Sequence, residues 1–378
     1  MKMKISHQKL VTIFFTVIVL AVGTVGQAGL VSYIAIDLNP SGFVSSAPGG
    51  ISGTQQVGCG SGSATGGNSH ALLWNGSAAS YIDLNPSGFV SSAAAGISGT
   101  QQVGGGSGSA TGGNQHAVFW NGSSASYVDL NPSGFDYSYA NGTNGTQQVG
   151  FGWGPVIGGY CHALLWNGSA SSYVDLNPSG FPNSFAYSTS GTQQVGYGWG
   201  PVTEDRSHAL LWNGSADSYV DLNPSGFDMS FAQGISGTQQ VGGGYGSATG
   251  GNHHALLWNG SADSYVDLNP SGFTASCANS TNGTQQVGYG WGPVTGDYDH
   301  AVLWNGSADN CVDLQQFLSS DFISSQAFGI AGNGDIVGYA RDSSGYNHAI
   351  LWEPVPEPAS AILMGMGCLF ARLRRRQN

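Results

Sequence analysis

The chain has 378 residues, of which 8% are charged and 62 are glycine. Soluble domains ordinarily carry roughly 25% charged residues, so the composition argues against a conventional globular enzyme and for a chain rich in turns. The formal net charge is −12, and the lysines and arginines stand almost wholly at the two ends, with only Arg206 and Arg341 between; no nucleic-acid partner is expected, because grip on a phosphate backbone needs clustered cations.

The first stretch, MKMKISHQK, is charged; LVTIFFTVIVLAV is apolar, and small residues ending in GQA follow. That order is the layout of a secretory signal peptide, with cleavage expected after Ala28. The apolar run is short for a retained membrane anchor.

From Tyr33 the chain reads YIAIDLNPSGF, and three short signatures then recur. HAxxW begins at His70, His116, His162, His208, His254, His300 and His348, and DL at Asp37, Asp83, Asp129, Asp175, Asp221, Asp267 and Asp313. QQVG begins at Gln55, Gln101, Gln147, Gln193, Gln239 and Gln285, with DIVG from Asp335 as its seventh form. The unit is 46 residues long: HALLWNGSADSYVDLNPSGF stands at 208–227 and again at 254–273. A period of this size marks solenoids and propellers.

Each unit divides into four short strands: the AxGIS type, as 231–236, then TQQVGYG, HALLW and SYVDL. Asn-Gly in NGSADS is a hairpin signal, and NPSGF has the Pro and Gly of a type I turn. The unit therefore reads as an antiparallel meander. HALLW carries apolar residues on both faces, and a lone sheet cannot cover both, so each unit needs neighbours.

The ends decide between an open stack and a ring. The first recognisable element is a fourth strand with no HAxxW before it; the last, HAILW ending at Trp352, is a third strand with no fourth after it. The surplus strand of the first unit is the missing strand of the last, as ring closure requires. The expected fold is all-β, a seven-bladed β-propeller over residues 29–354, closed by an N-terminal outer strand.

The C-terminus holds Val355, Pro356, Glu357 and Pro358, then an apolar stretch from Ala359 to Ala371, then Arg372, Arg374, Arg375 and Arg376. The stretch is short of the about 20 residues of a transmembrane helix, and the arginines would hold that end in the cytoplasm. Residues 355–378 closely resemble the PEP-CTERM sorting signal of Gram-negative and related bacteria. The resemblance implies an exosortase-type membrane protease as partner and transient anchoring in the inner membrane. It also implies delivery to the cell surface or an exopolysaccharide matrix. The repeats, with HALLW or HAVFW, a downstream DL and an upstream QVG, resemble the HAF-type extracellular repeats, which imply a bacterial surface or secreted protein without a defined activity. NPSGF and the last unit, with QQFLSSDF, depart from that pattern. Cys59, Cys161, Cys277, Cys311 and Cys368 fall at different places in the repeat and show no disulfide framework.

The recurring His residues would sit in separate blades, where a turn or an Asp satisfies each of them, so no metal centre is expected. DLNPSG, as Asp221, Asn223 and Ser225, imitates a calcium loop, but Ala232 stands where an EF-hand places its closing Glu; the turn reading is preferred. The NGS sequons are explained by the hairpins alone. No cofactor is expected. The informative variation lies after the second strand: three units carry Phe151 with Trp153, Tyr197 with Trp199, and Tyr289 with Trp291, where the first, second and fifth units carry small residues or Tyr245. These six aromatics are the candidate ligand-binding residues, suited to stacking on sugar rings; the competing account is packing against neighbouring loops. No residue breaks the repeat as a singular nucleophile, acid or base, so no catalytic residue is assigned. A non-catalytic, exported surface or matrix protein with a polysaccharide-binding face is expected. The alternative is a carbohydrate-active propeller enzyme using loop acids among Glu204, Asp205, Asp297 and Asp299, foremost Asp205 and Asp297.

Overall fold

The structure, a computed structural model, describes residues 32–355. The expected signal peptide (1–28) and, Val355 apart, the expected sorting segment (355–378) lie outside the described residues. Among the described residues no helix is long and apolar enough to cross a membrane.

Seven four-stranded antiparallel sheets form the ring of a β-propeller. In the blade built from the fourth complete unit, Asn183–Ser190 is innermost, followed by Gln193–Trp199, His208–Trp212 and the outer Val220–Asp221. The outer strand is shorter than SYVDL suggests, because a 3-10 turn at Ala216–Ser218 takes up its first residues. Ser218 Oγ accepts from Asn213 N at 2.8 Å and donates to Ser215 O at 2.6 Å, so its hydroxyl closes a turn in competition with the strand ladder. The innermost strand of the next blade is longer than 231–236, running Met229–Ser236.

The first and last strands of the repeat region meet as their phase requires. Ser32–Asp37 is the outer strand of the sheet that contains Asn347–Val355, and Leu38 N donates to Ala349 O at 2.8 Å. Seven apolar layers fill the spaces between successive blades; one combines Val57 and Leu73 of the first blade with Val118 and Trp120 of the second. The layer between the seventh blade and the first combines Leu38, Phe43 and Trp74 with Val337 and Leu351. Each HAxxW tryptophan, from Trp74 to Trp352, is fully buried in such a layer.

Two letters of QQVG have identifiable work. The second Gln is buried in six blades. In the 183–221 blade Gln194 Nε2 donates to Thr192 O at 2.9 Å while its Oε1 accepts from Gly214 N at 2.8 Å, pinning one turn to the other. The Gly lies where the innermost strand passes closest: a Cβ on Gly196 would stand 1.8 Å from Phe185 O.

Candidate functional site at the upper face

The repeated histidines are tied into the joints between blades. His208 Nδ1 meets Asp221 Oδ2 at 2.7 Å, and Asp221 Oδ1 accepts from Asn223 N at 2.8 Å. Asn223 Oδ1 accepts from Ser230 Oγ at 2.6 Å, and Ser230 Oγ accepts from Ala209 N at 3.0 Å, so the chain of bonds runs from one blade into the next and back. The same set, His348, Asp37, Asn39, Ser46 and Ala349, locks the joint between the seventh blade and the first, with His348 Nδ1 2.8 Å from Asp37 Oδ2. Asp221 and Asn223, the calcium-like pair of DLNPSG, have their carboxylate and carboxamide oxygens engaged in this clamp. Among the described residues no three His, Cys, Asp or Glu side chains converge as a metal site. At the sixth joint Gln315 replaces the Asn: its N still donates to Asp313 Oδ1 at 2.9 Å, but its buried Oε1 has no partner among the described residues.

The loop after the second strand and the NPSGF turn share one face, here the upper one, since Ala64 N donates to Gly42 O at 3.2 Å. At that rim one rung of the inner ladder differs from blade to blade while the clamp repeats. The rungs are Ser45 with Ser61, Ser91 with Ser107, Tyr137 with Trp153 and Asn183 with Trp199. They continue with Met229 and Tyr245, Ala275 and Trp291, and Ser324 and Arg341.

The six candidate aromatics do not form one site. Phe151 lies 4.7 Å, centroid to centroid, from Phe185, which stacks on Tyr197 at 5.4 Å and Trp199 at 5.6 Å. Phe151, Tyr197 and Trp199 thus belong to a packed aromatic stack across two blades. Trp153 is 40% exposed but its indole N–H is held by Gly159 O of its own loop at 2.7 Å. Trp291, 38% exposed, is placed differently. It stands between two hollows and lines both. One, of about 350 Å³, contains Phe231, His253, Cys277 and Tyr289. The other, of about 370 Å³, contains Asp297, Tyr298, Asp299, Ser324 and Arg341. Burial, reinforced by Cys277, Asp299 and Tyr339, pushes the Tyr289 hydroxyl up, so it stays a neutral donor. Burial also lowers His253, which packs edge-on against Tyr245 at 4.9 Å.

Of the loop acids, Asp297 and Asp299 line the same hollow, whereas Asp205 does not. Glu204, Asp205 and Asp297 hold left-handed backbones at φ 54°, 59° and 63°. Beside them, Arg206 pairs with Asp228 at 2.8 Å. His253, Tyr298 and Arg341 carried no site assignment in sequence. The doubled histidine at 253–254 and the scarcity of internal cations were the available signals. A third cavity, the central channel of about 480 Å³, is lined by uncharged residues, among them Tyr139, Tyr187, Gln233 and Asn279.

No family model matches the chain, and no curated protein matches it in sequence. The solved structures it resembles are propellers. The β-propeller domain of the Trilobed protease from Pyrococcus furiosus superposes with a TM-score of 0.54 at 7% identity, over 86% of this chain and 98% of that one. A puromycin-hydrolysing peptidase of Mycobacterium tuberculosis gives 0.54 at 11% identity, over 84% of this chain and 54% of its own. A puromycin hydrolase gives 0.52 at 10% identity, over 80% and 51%. The chain thus spans about half the length of these two hydrolases. At such identities the likeness shows the fold alone. The expectation of a non-catalytic protein is corrected by these comparisons: propellers of this shape are parts of a protease and of peptidases. A repeat without a singular acid, base or nucleophile is therefore no ground for denying catalysis, which in such chains need not arise from the repeated letters.

Proposed function

We propose that this chain is an exported propeller that binds polysaccharide at its upper face, at the hollows flanking Trp291. The observation that carries the reading is the exposed indole standing between two cavities, each lined by hydrogen-bonding side chains. Concave sites with an aromatic floor and a few convergent polar groups are where ligands are ordinarily held. A sugar ring offers an apolar face to the indole and hydroxyls to Asp299 and Tyr289. Export, exosortase processing at Val355 to Pro358 and residence at the cell surface or in an exopolysaccharide matrix complete the proposal; they rest on the sequence resemblance.

The test is retention of the purified full chain on the organism's own polysaccharide. Trp291→Ala is expected to weaken retention by about tenfold or more, as loss of a central aromatic anchor does. Trp199→Ala, which removes a ring of the packed stack, is expected to act mainly on stability. Retention unchanged in Trp291→Ala would remove the binding site. A second reading, cleavage of the bound chain, is favoured by Asp297 and Asp299 lining one hollow. It requires new reducing ends on incubation with the polysaccharide, lost in Asp299→Asn.

A further inference from the structure

The charged hollow is specific to one joint of the ring. The rung that carries Trp291 in the sixth blade carries Arg341 in the seventh, and these two residues face a shared space with Asp297, Tyr298, Asp299 and Ser324. Its two carboxylates are unequal. Asp299 Oδ2 accepts from Gln326 Nε2 at 2.8 Å, while the exposed Asp297 carboxylate has no hydrogen-bond or ion-pair partner among the described residues. Arg341 donates its Nε–H to Gly345 O at 3.1 Å, an internal bond of its own hairpin. Two carboxylates against one guanidinium leave the hollow acidic, within a chain of net charge −12. Across the indole, the second hollow is different in kind: Phe231, Asn252, His253 and Tyr289 supply apolar surface and neutral hydrogen-bonding groups, with no carboxylate.

We infer that the two hollows are adjoining subsites for an amino sugar chain: a free ammonium is held by Asp297 and Asp299 in one, and the next ring lies in the neutral hollow across Trp291. The inference rests on the polysaccharide-binding reading above and names its substrate class. The physical reasons are complementary. An ammonium is attracted to a carboxylate that lacks a partner, and the face of an indole is itself favourable to cations. A uronate would bring a third carboxylate into a space already holding two, in a protein whose overall field repels anions. The sugar's hydroxyls pair with the Arg341 guanidinium and the Tyr298 hydroxyl, and its apolar ring face covers the indole.

The full chain is to be titrated, by calorimetry and by quenching of tryptophan fluorescence at low ionic strength, with three probes. These are a β-1,4-linked glucosamine tetramer, its fully N-acetylated form and a uronic acid tetramer. The amine is expected to bind tightest and the uronate weakest. Each exposed ion pair contributes up to about fivefold, so Asp297→Asn and Asp299→Asn should each narrow the amine-to-acetamide ratio by that factor, and high salt should narrow it as well. Trp291→Ala should weaken all sugar binding alike. Asp297→Asn changes an exposed loop side chain and leaves the fold intact, so it remains informative if Asp299→Asn disturbs the bond to Gln326. An acetamide or uronate tetramer that binds as tightly as the amine overturns the inference, as does an unchanged ratio in Asp297→Asn. Retention on the native polysaccharide that depends on Trp291, with no preference for the amine, rejects the amino sugar and keeps the binding site; retention indifferent to Trp291 rejects both.

Discussion

Leu38→Ala is expected to lower the stability of the folded chain by about 2–5 kcal/mol, and to do so by opening the ring. Leu38 is fully buried in the layer between the seventh blade and the first, against Phe43, Leu72, Trp74 and Leu351. At every other joint the equivalent leucine directly follows an outer strand that is covalently continuous with its own blade. At this joint the outer strand, Ser32–Asp37, is held to Asn347–Val355 by pairing and packing alone. Urea midpoints of Leu38→Ala and of Leu222→Ala, an equally buried leucine of an interior joint, check this. Limited proteolysis of Leu38→Ala should cut first near the two paired ends; equal protection of those ends in both variants would refute a weak joint. The same strand also sets an alkaline limit, through Tyr33 in the layer on its blade's other side. Burial, with Asp335 adding to it, pushes the Tyr33 hydroxyl from 10.0 up to about 12. The folded form therefore keeps a proton that the unfolded chain releases, and the contribution is complete below pH of about 10 and lost as pH rises towards about 12. Tyr33→Phe should flatten the stability curve across that window.

Gly196→Ala is the second large effect, expected to cost about 3 kcal/mol or more through overpacking. The added methyl would stand 1.8 Å from Phe185 O and 3.0 Å from Ala186 Cα, both backbone atoms of the paired innermost strand. No rotamer relieves a clash between a Cβ and a backbone carbonyl, so the ladder itself has to move. Gly191→Ala is the control of opposite kind: its Cβ would meet nothing within 4 Å, but its φ of +59° strains any L residue. That change should cost roughly 1 kcal/mol. Thermal midpoints of the two variants rank them, and a Gly196→Ala protein as stable as Gly191→Ala would show that the innermost strand yields.

Blade number and ring closure were legible because both follow from counting and from the phase of the two ends, and neither depends on where a side chain points. The length of the outer strand was not legible: Ser218 favours a turn that only its hydrogen bonds to Asn213 and Ser215 reveal. The histidines could be assigned to the framework from their spacing. Their partner, an aspartate 13 residues on in six blades and Asp37 for His348, became definite only with the order of strands. At the upper face, an aromatic rung was visible in three units, but its members differ in fate because of their neighbours. Trp199 has Phe185 to stack on, whereas Trp291 has Ala275 opposite it and so leaves space. Asp299 and Arg341 line one hollow from two consecutive blades, a placement that no spacing within one unit announces.

The pinning of turns by buried glutamines bears on chemical ageing. In an Asn-Gly pair the glycine nitrogen can attack the asparagine carboxamide, expelling ammonia and leaving a cyclic imide that water opens to aspartate or isoaspartate. Six such pairs cross the outer turns, and in each the glycine N–H is committed to a glutamine Oε1 at 2.8–2.9 Å. A nitrogen so held must break that bond before it can cyclise, so these turns should keep their amide for far longer than the same dipeptide in an unfolded chain. Gln194→Met should release Asn213 alone to gain mass on storage, with the five other turns in the same molecule unchanged; equal mass gain at all six would remove the glutamine from the explanation.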